Sequence, residues 1–251
     1  MAPALRLPLC GLIAAWPLWA LAWCEPPRQL ARIAGDDFTA GLGHWRLEAE
    51  DPRAVATATA GVLDIATPAG LSLWWREPLA GDYAIRFTAE ALPAPETAGP
   101  HAGRLSDLNM FWNAEEADGG PPRPRPGGFG SYDSLATYYV GFGANANTTT
   151  RLRLYDGRER HILAGFADMP LREPGEQPMA PLTRLRAGQV LAIEIVSRRP
   201  TAADPVHLRW QADGRTVFMR ADAQPRLQGW FALRTTASRL QVRDFEILQC
   251  R

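Results

Sequence analysis

Prolines and glycines are scattered along the whole chain, 22 of each in 251 residues, and they leave no stretch suited to a long helix. Proline lacks the backbone N–H that a helix interior needs, and glycine weakens that interior. Between these residues lie short alternating or apolar runs such as GVLDIAT, YAIRFTAEA, TRLRLY and VLAIEIVS. Many short strands at this spacing predict an all-β sandwich or barrel.

One turn and two long segments organise these runs. Asp213-Gly214 separates two of them and predicts a β-hairpin. Residues 114–134 and 165–188 are rich in proline and glycine, and long segments of this kind are typically functional or disordered. A linker between two domains is the alternative, but neither half of the chain has enough strands for its own sandwich. We therefore predict one domain over residues 23–251.

The first 22 residues have the pattern of a cleaved signal peptide. A short apolar run is interrupted by Pro17 and ends at Ala20-Leu21-Ala22, which has the small-x-small form of a cleavage site. The run is too short for a spanning helix. A lipid anchor on Cys24 is disfavoured because Trp23 is bulky. Residues 1–22 therefore predict export to the periplasm or the medium, with no membrane span in the mature chain.

The cysteines extend this argument. Cleavage would leave Cys24 and Cys250 at the two ends of the mature chain. Exported proteins favour paired thiols, so we predict a Cys24–Cys250 disulfide, with two free thiols as the alternative. This bond requires the chain termini to be adjacent in the fold.

Charge composition excludes several classes of partner and chemistry. The chain has 27 lysine plus arginine residues and 27 aspartate plus glutamate residues. This balance gives no electrostatic reason to expect binding to nucleic acid or to an anionic membrane. All 27 basic residues are arginines, which excludes lysine nucleophiles and bases. We expect a monomer.

The most polar strand pair spans residues 138–157, YYVGFGANANTTTRLRLYDG. Side chains alternate faces along a strand. The alternation assigns one set to the core: Tyr138, Val140, Phe142, Leu152 and Leu154. It assigns a second set to the opposite face: Tyr139, Gly141, Gly143, Arg151, Arg153 and Tyr155.

The second set has the composition of a groove for an acidic glycan. Two glycines would leave the floor free of side chains. Arginine forks bind carboxylates in bidentate fashion, and aromatic rings offer sugars an apolar platform. We therefore predict that this face is a solvent-facing, concave groove. A solvated sheet face with arginines in surface ion pairs is the alternative.

Amide side chains accompany this hairpin. In SDLNMFWNA, alternation places Asn109 and Asn113 on the groove side, and Asn145 and Asn147 occupy the loop between the hairpin strands. Amides supply both donors and acceptors to sugar hydroxyls. Asn109 and Asn113 could equally cap loops.

The histidines do not predict a metal site, because none of the four has metal-ligand spacing to another. His161 follows the arginine strand closely and could lie near the groove, although a lone histidine is more often structural. No cofactor is predicted. Asp36-Asp37 could contribute to a structural calcium site, but no loop of calcium-ligand spacing supports one.

Four motifs in this order carry a family resemblance: RLSDLNMFWNA, YYVGFGANANTTTRLRLYDG, DGRTVF and GWFALRTTASRLQVRDFEI. They resemble an exported bacterial family of unknown function with a concanavalin-like, glucanase-type jelly roll, akin to YesU, which is encoded among rhamnogalacturonan-degradation genes. The resemblance covers roughly residues 36–248. It implies a two-sheet antiparallel jelly-roll sandwich (concanavalin A-like) and a glycan setting, without a reaction.

Two functions fit this sequence. The first is a lyase that cleaves a uronate-containing polysaccharide by β-elimination, with Arg151 and Asn109 neutralising the carboxylate and Tyr139 or Tyr138 handling the proton. His161 would assist. The second is a non-catalytic carbohydrate-binding module that uses the same groove. A glycosidase is weaker, because the groove-facing positions are poor in the paired carboxylates that it needs.

Overall fold

The computed structural model describes Cys24 and residues 28–251 apart from positions 170, 200 and 224. The predicted signal peptide, residues 1–22, lies outside the described residues. In the part of the chain that is described, no helix is long and apolar enough to cross a membrane.

Strands dominate the described chain. They are β1 (Leu30–Asp36), β2 (Trp45–Ala49), β3 (Val55–Thr59), β4 (Val62–Trp75), β5 (Leu79–Ala80), β6 (Tyr83–Leu92), β7 (Leu108–Glu116), β8 (Leu135–Gly143), β9 (Thr149–Asp156), β10 (Arg160–Ala167), β11 (Val190–Arg198), β12 (Val206–Ala212), β13 (Arg215–Asp222) and β14 (Gln228–Cys250). The helical pieces are α1 (Ala144–Asn147) and the 3-10 segments Glu96–His101, Phe129–Tyr132 and Pro181–Thr183.

The strands pair antiparallel in the order β10-β9-β8-β7-β14-β6-β11-β12-β13, with β4 also paired to β14. The first half of β14 pairs with β7 and its second half with β6, so one long strand takes part in both layers. Its register shifts beside Ala237, whose φ is 44°, and a bulge of this kind bends a strand. The predicted two-sheet sandwich is confirmed.

The core lies between the two layers. Phe142 of β8 stacks on Trp210 of β12, with ring centroids 5.0 Å apart, although these strands are far apart in the sheet order. Tyr138, Val140 and Leu152 are buried in the same cluster, as the alternation predicts. The face of β7, β8 and β9 that points away from this core is called the outer face below.

The predicted turn at Asp213-Gly214 joins β12 to β13. Both residues have positive φ, 51° and 71°, as a two-residue hairpin turn requires. Glycine adopts this conformation without steric cost, and aspartate tolerates it better than most residues do.

The predicted disulfide is present between Cys24 and Cys250, whose Cα atoms are 5.5 Å apart. Strand β1 pairs with the end of β14, where Leu30 lies opposite Cys250. The disulfide therefore joins chain ends that the sheet has already brought together.

Removal of this disulfide should cost stability, because the bond closes a loop of 226 residues in the unfolded chain. We expect Cys24→Ser to lower the free energy of unfolding by about 2–4 kcal/mol, measured by chemical denaturation. The double variant with Cys250→Ser should match the single variant, since the bond is already lost. An unchanged denaturation midpoint in Cys24→Ser would contradict this prediction.

Candidate functional site

The outer face brings together five of the predicted site residues. Tyr139 of β8 pairs with Arg153 of β9, and Gly141 pairs with Arg151 on one side and with Asn109 of β7 on the other. Tyr155 lies two residues beyond Arg153 on the same face of β9. The side-chain alternation that predicts this grouping is therefore correct.

The expectation of an open, solvent-facing groove is wrong. The connection between β7 and β8, residues 117–134, folds over the outer face and is called the covering segment. A second apolar cluster is buried beneath it, and it consists of Trp74, Phe111, Ala114, Tyr132, Leu135, Tyr139, Tyr155 and Ala232, packed against Phe129 and Trp230. Aromatic side chains that were expected to face solvent are thus covered by aromatic side chains of the same protein.

Polar contacts hold the covering segment in place. The Tyr132 hydroxyl donates to the buried carboxylate of Glu48 at 2.7 Å. Arg125 binds both carboxylate oxygens of Glu116, at 2.7 and 2.9 Å. Arg234 of β14 donates to the Gly127 carbonyl at 2.9 Å. Buried ion pairs and hydrogen bonds of this kind fix a loop in one position, because leaving either partner alone is costly.

Arg151 is engaged within the protein. Its Nε and Nη2 donate to the two carboxylate oxygens of Glu176, at 2.5 and 2.8 Å, and Nη2 also donates to the Leu171 carbonyl at 2.5 Å. The Arg151 side chain is 10% exposed and that of Glu176 is 2% exposed. The expectation that Arg151 is available to bind a ligand carboxylate is therefore wrong, because its guanidinium already binds the Glu176 carboxylate.

A cavity of about 190 Å³ remains on the outer face beside the covering segment. Four predicted site residues line it: Asn109, Tyr139, Asn145 and Arg153. The other lining residues are Arg104, Asp107, Phe129, Ala144 and Thr236. This cavity is called the Arg153 pocket below.

Arg153 is the partly buried cation of this pocket. Burial lowers the pKa of its guanidinium, partly offset by Tyr139 and Tyr155. The guanidinium lies 5.8 Å from the centre of the Tyr139 ring. Within the described residues it forms no ion pair and no hydrogen bond. A cation taken out of water without a counterion is unfavourable, so this site favours an anionic ligand.

Polar side chains form the wall opposite the covering segment. The Asn109 amide donates to Asp107 at 3.0 Å, and the carbonyl oxygen of Asn109 is buried without a hydrogen-bond partner among the described residues. Arg104 binds Asp107 and also donates to the Thr236 carbonyl at 3.1 Å. Among the described residues, the pocket thus has a hydrogen-bond acceptor and a cation that lack partners, which suits a ligand with both hydroxyls and an anionic group.

The tyrosines of the outer face are poor bases. Burial raises the pKa of Tyr139 far above its ordinary value, and the neighbouring Tyr155 adds to that rise. Burial also raises the pKa of Tyr155 to about 12, against the opposing effect of nearby arginines. Both phenols stay protonated at neutral pH and can donate, not abstract, a proton.

Several predicted site residues lie outside the pocket. Tyr138 faces the core side, where its hydroxyl donates to Asp222 at 2.6 Å. Asn147 holds the Leu185 backbone through two hydrogen bonds, of 2.8 and 2.9 Å. Gly143 does not form a floor, because a Cβ there would meet Leu185 and Asn147.

Asn113 and His161 also differ from expectation. A bulge follows Trp112, Asn113 has a φ of 48°, and its amide donates to Ser197 at 3.2 Å. The bulge therefore interrupts the alternation that would place Asn113 beside Asn109. His161 pairs with Leu154, which turns it away from Arg153, and its ring bonds Asp156 at 2.9 Å on the exposed edge.

Three further residues of the site, Arg234, Phe129 and Arg104, are not predicted from the sequence. Arg234 pairs with Asn109 on β14, is 1% exposed and stacks 5.2 Å from the centre of the Phe129 ring. Alternation in GWFALRT could have placed Arg234 opposite the core, but only the sheet order puts it next to Asn109. Phe129 and Arg104 lie outside the strands, where alternation carries no signal.

The aspartates considered for calcium accept hydrogen bonds from nearby residues. The Asp36 carboxylate accepts hydrogen bonds from the Phe38 amide and the Trp45 indole, both at 2.8 Å. Asp37 accepts two hydrogen bonds from Thr39. The described residues contain no cluster of three or more histidine, cysteine or acidic side chains that could hold a metal ion.

The comparisons with known proteins identify a family and a fold. The model of a family described as a domain of unknown function, DUF6250, matches residues 65–245. None of the curated proteins matches the chain.

Solved structures share the sandwich. A protein of unknown function with a galectin-like fold from Bacillus subtilis is 14% identical, with a TM-score of 0.65 over 89% of this chain and 98% of that chain. An endo-beta-1,3-glucanase from Pyrococcus furiosus is 10% identical, with a TM-score of 0.53 over 89% and 96%. The metal-free Emp46p carbohydrate recognition domain is 12% identical, with a TM-score of 0.51 over 82% and 88%. At these identities the likeness establishes the fold alone.

Proposed function

Because the chain belongs to the DUF6250 family of domains of unknown function, we propose a function from its pocket: the protein binds a carboxylated sugar of an acidic, uronate-containing polysaccharide at Arg153. The observation that carries this proposal is the partly buried Arg153 guanidinium, which has no ion-pair or hydrogen-bond partner in the described chain. A carboxylate would supply the missing counterion in bidentate geometry.

The rest of the pocket suits a sugar ring. The partly exposed Phe129 ring offers aromatic surface, and the exposed Asn145 offers an amide. The carbonyl oxygen of Asn109, which has no hydrogen-bond partner among the described residues, can accept a hydrogen bond from a sugar hydroxyl. Two proteins of the same fold are named a glucanase and a carbohydrate recognition domain, and the sequence resembles a family akin to YesU, which supports a glycan as the ligand.

We propose that this pocket binds its ligand without cleaving it. β-Elimination needs a base, and the raised pKa of Tyr139 keeps its phenol protonated at neutral pH. Asp107, the carboxylate that lines the pocket, is held by Arg104, Ser106 and Asn109. The lyase hypothesis also relied on Arg151, which is bound to Glu176.

The proposed site of action is the periplasm or the medium. Disulfides persist in oxidising compartments, and Cys24 and Cys250 are bonded. Acidic polysaccharides would be met there after removal of the predicted signal peptide. A monomer is the form we propose.

Isothermal titration of the protein with D-galacturonate and D-galactose tests the proposal, because the two sugars differ in the carboxylate. One charge-assisted contact contributes about 1.5–3 kcal/mol. We therefore expect galacturonate to bind about 10- to 100-fold more tightly than galactose. Added salt should weaken only the binding of galacturonate. Equal affinity for the two sugars would refute an acidic ligand.

A further inference from the structure

The Arg153 pocket is closed on three sides by side chains of the protein itself. Residues that are paired across adjacent strands form one row over the sheet. The row crosses β10, β9, β8, β7 and β14 and ends on β4, and its members in that order are Gly165, Arg151, Gly141, Asn109, Arg234 and Ser72. A polysaccharide that lies across the strands and passes Asn109 would follow this row, which is adjacent to the Tyr139–Arg153 pair on the same face. Its course is blocked at both ends of the pocket.

Glu176 closes the first end. It lies over β10 and β9, where its carboxylate binds Arg151, and a Cβ at Gly165 would collide with its Oε1 atom. The ion pair is almost entirely buried. Opening this end would break the ion pair, and a buried charge that is left without its partner costs about 3–5 kcal/mol.

Arg234 and the covering segment close the second end. The Gly127 carbonyl accepts a hydrogen bond from Arg234 at 2.9 Å and lies against Gly70 of β4. The ring of Phe129 stacks 5.2 Å from the Arg234 guanidinium. The covering segment therefore lies over the row at β14, the strand next to Asn109.

The third side is the aromatic cluster. The covering segment buries Phe111 completely and leaves Tyr139 2% exposed, so no ligand can continue along the strands beneath it. The opposite rim carries the exposed Asn145 together with the partly exposed Arg104 and Thr236. A ligand must enter across this rim.

We propose that the pocket binds a single uronate at the end of an acidic glycan and excludes uronates in the interior of the chain. This inference rests on the proposed function and narrows its ligand. The cavity of about 190 Å³ lies below the usual 300–1,000 Å³ of pockets for larger ligands, so one sugar ring occupies it. A terminal sugar is joined to the glycan by one glycosidic bond, and the rest of the glycan can extend out of the pocket across the rim. An internal sugar has two such bonds, so the glycan would also have to extend through one of the closed sides.

Chain length is the variable that tests this inference. The wild-type protein is titrated calorimetrically with D-galacturonate, with its linear oligomers of increasing length, and with two polygalacturonate samples of equal mass and different mean length. We expect the molar affinity of the oligomers to stay constant within about threefold, which is less than 1 kcal/mol. The number of proteins bound per mass of polymer should rise in proportion to the number of chain ends. Borohydride reduction of one end identifies which terminus is bound.

The outcomes separate the two proposals. The chain-end inference is overturned if the affinity rises more than about tenfold (1.4 kcal/mol) with oligomer length. It is also overturned if the amount of protein bound to the polymer depends on the total uronate content and not on the number of chain ends. If Arg153→Gln still weakens galacturonate binding about 10- to 100-fold, the acidic-sugar function survives. Binding of galacturonate that Arg153→Gln leaves unchanged overturns the proposed function, and no binding of any of these acids overturns both.

Discussion

Replacement of Arg153 by glutamine is expected to weaken D-galacturonate binding about 10- to 100-fold, the loss of one charge-assisted contact of about 1.5–3 kcal/mol. The same change should leave the free energy of unfolding within about 1 kcal/mol of wild type, because the guanidinium has no ion-pair partner in the described chain and only an aromatic contact with Tyr139. Titration calorimetry and chemical denaturation measure the two quantities.

A matched control separates a local contact from general loss of charge. Arg220 is an exposed arginine on β13, outside the pocket, so Arg220→Gln removes the same charge and should preserve affinity. Arg153→Lys should recover only part of the binding, since lysine lacks the planar fork. Equal losses in Arg153→Gln and Arg220→Gln would show that net charge, not the pocket, determines affinity.

Replacement of Arg151 by alanine is expected to destabilise the protein by about 3–5 kcal/mol, because it leaves the Glu176 carboxylate buried without its partner. For a domain of this size, each kcal/mol corresponds to about 2–4 °C in melting temperature. We therefore expect a clear fall in thermal melts. At a temperature where the variant stays folded, its affinity for galacturonate should change far less than that of Arg153→Gln.

An exposed ion pair in the connection after β10 serves as the control. Arg184 binds Asp168 at 2.7 Å with both side chains about one-third exposed or more, so Arg184→Ala should cost no more than about 1 kcal/mol. Replacing both Arg151 and Glu176 with methionine should restore most of the stability, since no buried charge is left alone. Arg151→Ala that melts like wild type would contradict a structural role.

Acid should reduce the difference between wild type and Arg151→Ala. Burial alone would raise the pKa of Glu176, but hydrogen bonds from Arg151 and the Glu173 amide outweigh it and hold the pKa below its ordinary value. A lowered pKa contributes stability that is fully present above the unfolded-state pKa and is lost as pH falls through the folded-state value. Denaturation curves from neutral pH to below 4 would reveal this convergence.

Local sequence patterns were sufficient for the sandwich and its core. Strand alternation correctly separates Tyr138, Val140 and Leu152, which are buried in the core, from Tyr139 and Arg153 on the outer face. Such patterns work because consecutive side chains of a strand must point to opposite faces. They fail at Asn113, where a bulge with a φ of 48° adds a residue to the strand.

The sequence by itself determined which arginines face outward, and only the tertiary structure decided which of them has no ion-pair partner among the described residues. Arg151 and Arg153 are two residues apart on one strand face and have the same local pattern. Glu176, 25 residues beyond Arg151, folds back and accepts hydrogen bonds from that arginine on both carboxylate oxygens. The covering segment likewise buries Tyr155 but stops short of Arg153. Contacts between segments distant in sequence depend on how the long connections fold over the sheet, and strand periodicity does not encode that.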